Sequence, residues 1–133
     1  MFRKKPKRTY QDYRLGVLSY SHGLWSGEVE DANGDLLSFR MDGNEDRPDP
    51  CKLEMAQKLV ASATELRQRA WAYLREREDV REFADNGDFT LDTIDVGREE
   101  GSFDLSFGFS EWPDGYVTVR FTAGKPTSVM MGD

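Results

Sequence analysis

Residues 49–83 read DPCKLEMAQKLVASATELRQRAWAYLREREDVREF, the one long helical pattern in the chain. Ala56, Leu59, Val60, Ala63, Leu66, Ala70, Tyr73 and Leu74 recur at steps of three and four, which places them on one stripe. Lys58, Glu65, Gln68, Arg75 and Glu76 fall on the opposite face, and Glu65 and Arg69 have the i,i+4 spacing of a weak surface pair. Asp49 is the expected N-cap, because its carboxylate can accept from the amides of the first turn. Pro50 then takes the first helical position, where a missing N–H is no loss. Asn86-Gly87 suits the stop. Unbroken, such a helix would run about 50 Å at about 1.5 Å per residue. A globule of this length has a radius of gyration of only about 14 Å. A break is therefore expected in the polar run Arg75-Glu76-Arg77-Glu78-Asp79, with a short second helix carrying Val80 and Phe83 to the core.

On either side of this helix the pattern changes to period two. Residues 13–20 are strand formers, and Ser21-His22-Gly23 reverses the chain. Residues 24–30 return with Trp25, Gly27 and Val29 on one face and Glu28 and Glu30 on the other. Asn33-Gly34 is a strong hairpin signal, since both residues tolerate the positive φ of a type I′ turn. Leu37, Phe39 and Met41 then alternate with polar residues to complete a three-stranded antiparallel meander. After the helix, residues 89–96 read as a strand whose apolar phase shifts between Leu91 and Ile94, the mark of a bulge or bend. Phe103, Leu105, Phe107 and Phe109 alternate without a fault. Trp112-Pro113-Asp114-Gly115 reads as a turn, followed by Val117, Val119 and Phe121, a turn at Ala123-Gly124-Lys125, and a closing strand over 127–131. Strands, then helix, then strands argue for an α+β domain. The expected architecture is an antiparallel sheet of about seven strands, in the order βββ-α(α)-ββββ, with one long or broken helix on one face.

The 133 residues suffice for one domain with a real core. The expected division is a basic flexible arm over residues 1–11 and a single α+β domain over 12–133. No apolar run approaches the roughly 20 residues that span a bilayer. The lone cysteine, Cys51, excludes an internal disulfide framework and suits a reducing cytoplasm, where it reads as a plain structural thiol. The formal net charge is −7, yet Arg3, Lys4, Lys5, Lys7 and Arg8 are all positive, so the remaining 125 residues carry −12. Such a body repels nucleic acid and anionic lipid and attracts a basic protein.

The residues give little support for catalysis. His22 is the only histidine and sits at a hairpin tip, where nothing would orient it as a base. One His and one Cys cannot supply the three or four N/S ligands of a zinc site. Asp42-Gly43-Asn44-Glu45-Asp46 and Asp31-Ala32-Asn33-Gly34-Asp35 place oxygens at alternating positions, but neither has the glycine that an EF-hand loop needs at its sixth place. Turn chemistry explains both runs. Glu28, Glu30, Asp92, Asp95, Glu99 and Glu100 could cluster across strands, and among 25 acids such pairs mean little by themselves. No glycine-rich loop has phosphate-binding spacing. Trp112 either anchors a partner or folds back over the sheet.

Leu15-Gly16-Val17-Leu18, followed by Leu24-Trp25-Ser26-Gly27-Glu28-Val29, resembles the opening hairpin of a family of uncharacterised bacterial domains. Asp114-Gly115-Tyr116-Val117-Thr118-Val119 and the closing strand are similar to that family's end. Some of its members stand near polymorphic toxins and look like immunity proteins. The resemblance covers most of the chain, implies no catalytic residue, and leaves the basic arm unexplained.

Together these readings lead to an expectation of a small acidic cytoplasmic protein that binds a protein partner, such as a basic toxin, with no catalytic residue, cofactor or metal. The contact residues expected are Asp42, Glu45, Asp46, Asp49, Asp95, Glu99, Glu100 and Trp112. A carboxylate-dependent hydrolase is the first alternative. A nucleic-acid-associated protein working through the arm is the second.

Overall fold

The computed structural model describes residues 8–31, 34–97, 99 and 101–133. Eight strands form one sheet in sequence order: β1 (Thr9–Asp12), β2 (Gly16–Ser21), β3 (Leu24–Glu30), β4 (Leu36–Asp42), β5 (Phe89–Val96), β6 (Ser102–Phe109), β7 (Trp112–Thr122) and β8 (Lys125–Gly132). Every neighbouring pair is antiparallel except β4 and β5, which run parallel. Between those two lie α1 (Pro50–Ala61), α2 (Ala63–Glu76) and a 3₁₀ turn over Arg81–Ala84. The helices return the chain to the end of the sheet where β4 began, so β5 must start alongside it. The fold is thus α+β, with a mostly antiparallel sheet of eight strands.

Four expectations are corrected, the first being the wholly antiparallel sheet, since the helical crossover brings β5 in parallel to β4. The sheet gains a strand, because Thr9–Asp12 pairs with β2 instead of trailing as an arm; residues 1–7 of that arm lie outside the described residues. The helix breaks at Ser62, well before the polar run. Ser62, with φ −104 and ψ 15, separates the two helices, while its amide still donates to Lys58 O and its carbonyl still accepts from Leu66 N. The polar run does end α2, at Glu76, and the 3₁₀ turn beyond it brings in buried Val80. Last, residues 112–115 are not the turn. Ser110 and Glu111 make it, and Pro113, Asp114 and Gly115 bulge out of β7 between the pairs Phe109–Trp112 and Gly108–Tyr116.

Other local readings hold. The Asp49 carboxylate accepts from Cys51 N at 3.0 Å and Lys52 N at 3.1 Å, with Pro50 at the head of α1. The β5 bulge falls between Leu91 and Thr93. His22 (φ 51) and Gly23 (φ 84) turn β2 into β3, and the Ala123-Gly124 turn has the same left-handed pair. One local reading fails: instead of pairing with Glu65, Arg69 donates to the Gly124 carbonyl and lies over the Phe121 ring. Asn33 lies outside the described residues; its neighbour Gly34 has φ 81, and Asp31 N donates to Asp35 O across the loop.

One face of the sheet carries Trp25, Phe39, Ile94, Leu105, Phe107, Val119 and Phe121, all essentially without exposure. Leu53, Ala56 and Leu59 of α1 and Ala63, Leu66, Ala70 and Leu74 of α2 close over it. Phe89 stacks on Phe107 at 4.2 Å and Phe103 on Phe121 at 4.9 Å. Burying each such side chain contributes roughly 1.5–3 kcal/mol. The opposite face has no helix over it among the described residues, and it presents Ser, Thr, Arg and Asp.

Candidate functional site

Because β4 and β5 are parallel, their carboxyl ends lie together at one end of the sheet. A shallow cleft of about 450 Å³ sits there, on the open face. One straight cross-strand row crosses it: Arg40 on β4 pairs with Asp95 on β5, Asp95 with Asp104 on β6, and Asp104 with Arg120 on β7. Arg40 Nε donates to Asp95 Oδ2 at 2.8 Å. Arg120 grips both oxygens of Asp104, at 3.0 and 3.3 Å. The hydrogen bond to Asp104 holds the Arg120 guanidinium above its ordinary pKa. Two carboxylates therefore stand side by side, each bound by its own arginine. A planar guanidinium on each acid fixes the position of the carboxylate.

The expected contact residues divide between two ends of the sheet. Asp42, Asp95 and Glu99 line the cleft. Asp42 accepts from Lys52 Nζ at 2.9 Å, and Asp49 is committed to the α1 cap. Glu45 and Asp46 both lie against Arg8, at 3.5 Å, in an exposed cluster. Residues 42–49 form a closed loop: the Asn44 side chain accepts from Asp46 N and Arg47 N, and Trp25 Nε1 donates to Asn44 O at 2.8 Å. Glu100 lies outside the described residues. Trp112 stands at the far end, where it stacks on Phe109 at 6.0 Å and covers Gly115, so it is a packing residue folded over the sheet. Arg40, Asp104 and Arg120 were missed in the sequence. The alternation of each strand puts them on the polar face, but their shared row depends on register.

That far end holds a second hollow, of about 360 Å³. Asp31 and Asp35 from the β3–β4 loop, Asp88 before β5, and Arg67 of α2 line it. Arg67 Nη1 is used by the Phe89 carbonyl at 3.0 Å. Nearby, Asp92 occupies the β5 bulge with its carboxylate laid on Gly108, where a Cβ would come within 2.6 Å of Oδ2. Burial, and secondarily the charge of Asp35, push the Asp92 carboxyl above its ordinary pKa. Glu30, Asp35, Asp88 and Asp92 have no ion-pair partner among the described residues. The acids at the predicted end are largely compensated, whereas these four are not paired among the described residues.

Among the described residues no group of His, Cys, Asp and Glu could hold a metal ion. No helix among them is long and apolar enough to cross a membrane. No protein-family model, curated protein or solved structure matches this chain.

Proposed function

We propose that this chain is a protein-binding domain that recognises a basic protein, in the manner of an immunity protein that neutralises a cognate bacterial toxin in the cytoplasm. The observation that carries the reading is the set of uncompensated acids at one end of the sheet: Glu30, Asp35, Asp88 and Asp92. Asp92 is held above its ordinary pKa first by burial and second by the charge of Asp35, and an incoming Lys or Arg would relieve the second of these. Charge of this kind speeds encounter and suppresses wrong partners more than it adds affinity. The resemblance to toxin-associated bacterial domains supports the same reading. It moves the contact surface away from the residue 42–49 loop, whose acids are occupied by Lys52, Arg8 and the α1 cap.

The hydrolase alternative draws on Asp95 beside Asp104. A general acid or base must have an oxygen free to reach a substrate, and Arg120 occupies both oxygens of Asp104 while Arg40 occupies one of Asp95. We therefore favour a non-catalytic role for the row, as a cross-strand brace.

The test is purification of the tagged chain from the cells that naturally make it. A basic protein should accompany wild type in stoichiometric amount and be lost from the Asp35→Asn, Asp88→Asn, Asp92→Asn triple variant. A chain that purifies alone, or a partner that the triple variant retains, refutes the reading.

A further inference from the structure

A sheet face left to water is expected to carry polar side chains in alternation with the buried ones. The open face of this sheet departs from that. Large apolar side chains are exposed at Val17, Leu36, Tyr116 and Met130. Each alternates along its strand with residues that pack on the helix side, so all four stand on the open face. Between them runs a row of short side chains, Ser38, Thr93, Ser106 and Thr118, on the neighbouring strands β4 to β7. Glu28 and Glu30 of β3 point to the same face, opposite Ser38 and Leu36. With Asp92 they have no ion-pair partner among the described residues. The Asp92 carboxylate lies on Gly108, and Gly108 pairs with Tyr116, so this acid and this ring are neighbours. Leu36 stands on the other side of β5, two residues before Ser38, which pairs with Thr93 at the bulge.

We infer that the basic partner docks on this open face, anchored by a Lys or Arg whose stem lies between Leu36 and Tyr116 and whose charged head meets Asp92. The inference rests on the reading of the chain as a binder of a basic protein, and adds to it the surface and the anchor. Lys and Arg lay their methylenes along apolar surface while the charged head reaches a polar group, and Leu36, Asp92 and Tyr116 offer both parts side by side. Asp92 is partly desolvated there with no cation to balance it, so an arriving ammonium or guanidinium supplies the missing counter-charge. In the neighbouring row Asp95 and Asp104 already hold Arg40 and Arg120, which directs the incoming cation to Asp92. The short side chains of the central row let the partner approach the sheet closely. Val17 and Met130 meet its apolar side chains, and Glu28 and Glu30 select a basic partner over an acidic one. The area suffices. From β2 to β8 the face spans about 29 Å at about 4.8 Å per strand, and a strand of about seven residues runs about 23 Å. That is roughly 670 Å², close to the about 800 Å² that each side gives a stable complex.

The probe for the anchor is n-butylguanidinium chloride, which carries a stem and a charged head without the rest of a partner. It is titrated into the isotope-labelled full chain at fixed ionic strength and followed by nuclear magnetic resonance. Saturable shifts are expected at the Gly108 and Tyr116 amides, with a dissociation constant raised about threefold or more by Asp92→Asn and by Tyr116→Ala. Leu36→Lys, at an exposed position outside the core, brings its own ammonium to Asp92 and should abolish the shifts; it decides the matter if circular dichroism finds Tyr116→Ala unfolded. Shifts confined to the Asp35 and Asp88 side, shifts that the variants leave unchanged, or shifts that never saturate overturn the proposal. A basic protein that co-purifies with wild type should be held about tenfold less tightly by the Tyr116→Ala, Met130→Ser double variant. An unchanged hold overturns the open face as the docking surface and leaves the binding of a basic protein standing. A wild-type chain that purifies alone refutes that underlying reading, and the docking with it.

Discussion

Asp12 is one of two buried polar residues among those described, at 5% exposure, and it ties the first hairpin to α1. One carboxylate oxygen accepts from Arg14 N at 2.9 Å and Leu15 N at 2.8 Å. The other accepts from Gln57 Nε2 at 2.8 Å. These bonds shape the turn that drives Leu15 into the core, at 1% exposure. Asp12→Ala removes all three acceptor contacts and leaves the buried Leu15 amide unpaired. Hydrogen bonds to a charged group contribute roughly 1.5–3 kcal/mol each, and the three share one carboxylate, so the loss should be about 3 kcal/mol rather than the full sum. Against a total stability of about 5–15 kcal/mol this is a large fraction. Asp12→Asn should lose only about 1 kcal/mol, because its carbonyl can still serve the two amides and Gln57 can turn its own oxygen toward the new NH₂. Urea unfolding followed by tryptophan fluorescence gives both values, with thermal midpoints lowered by roughly 10 °C for Ala. An Ala variant within about 0.5 kcal/mol of wild type, the ordinary range for surface changes, would refute the account of this anchor.

Gly43→Ala would put a Cβ within 2.6 Å of Arg47 O and Trp25 Cδ1, and should destabilise by about 1–3 kcal/mol, with altered near-UV dichroism from Trp25. Phe107→Ala empties the centre of the phenylalanine stack and should lose about 3–5 kcal/mol, read as a lower urea midpoint. Arg120→Met breaks a largely exposed pair and should lose no more than about 1 kcal/mol, less at high salt; a larger loss would mean the charged row does more than brace the strands. Asp92 is expected to act in the opposite sense. Its folded-state pKa is raised, so its ionisation opposes folding once pH rises past the ordinary aspartate value. Asp92→Asn should therefore stabilise the protein at neutral pH and lose that advantage below the unfolded-state pKa of about 3.9. Urea midpoints at neutral and at acid pH decide it, and an Asn variant less stable at neutral pH would contradict the burial argument.

Local chemistry accounts for what could be read in advance. Asp49-Pro50 starts α1, because capping involves only the next few amides. The alternation of Phe103, Leu105, Phe107 and Phe109 makes β6 a strand with one buried face. The lost phase between Leu91 and Ile94 announces the β5 bulge. Trp112-Pro113-Asp114-Gly115 misled for an instructive reason: its composition is that of a turn, but Trp112 buries surface on Phe109 and Gly115 by staying in the strand as a bulge. Thr9–Asp12 was missed because four residues show no periodicity. Only the presence of β2 beside them makes them a strand.

Side-chain periodicity, capping residues and turn residues act within a few positions of themselves. They determined the helix and most of the strands, the buried stripe of each, and the acidity of the body. Register and crossover are set by packing over the whole domain. They alone decided that β4 and β5 run parallel, that Arg40, Asp95, Asp104 and Arg120 share one row, and that Glu30, Asp35, Asp88 and Asp92 fall at one end of the sheet with no ion-pair partner among the described residues. Charge along a chain is a sum over residues, but whether a given acid is compensated depends on which distant arginine or lysine the fold brings within about 4 Å.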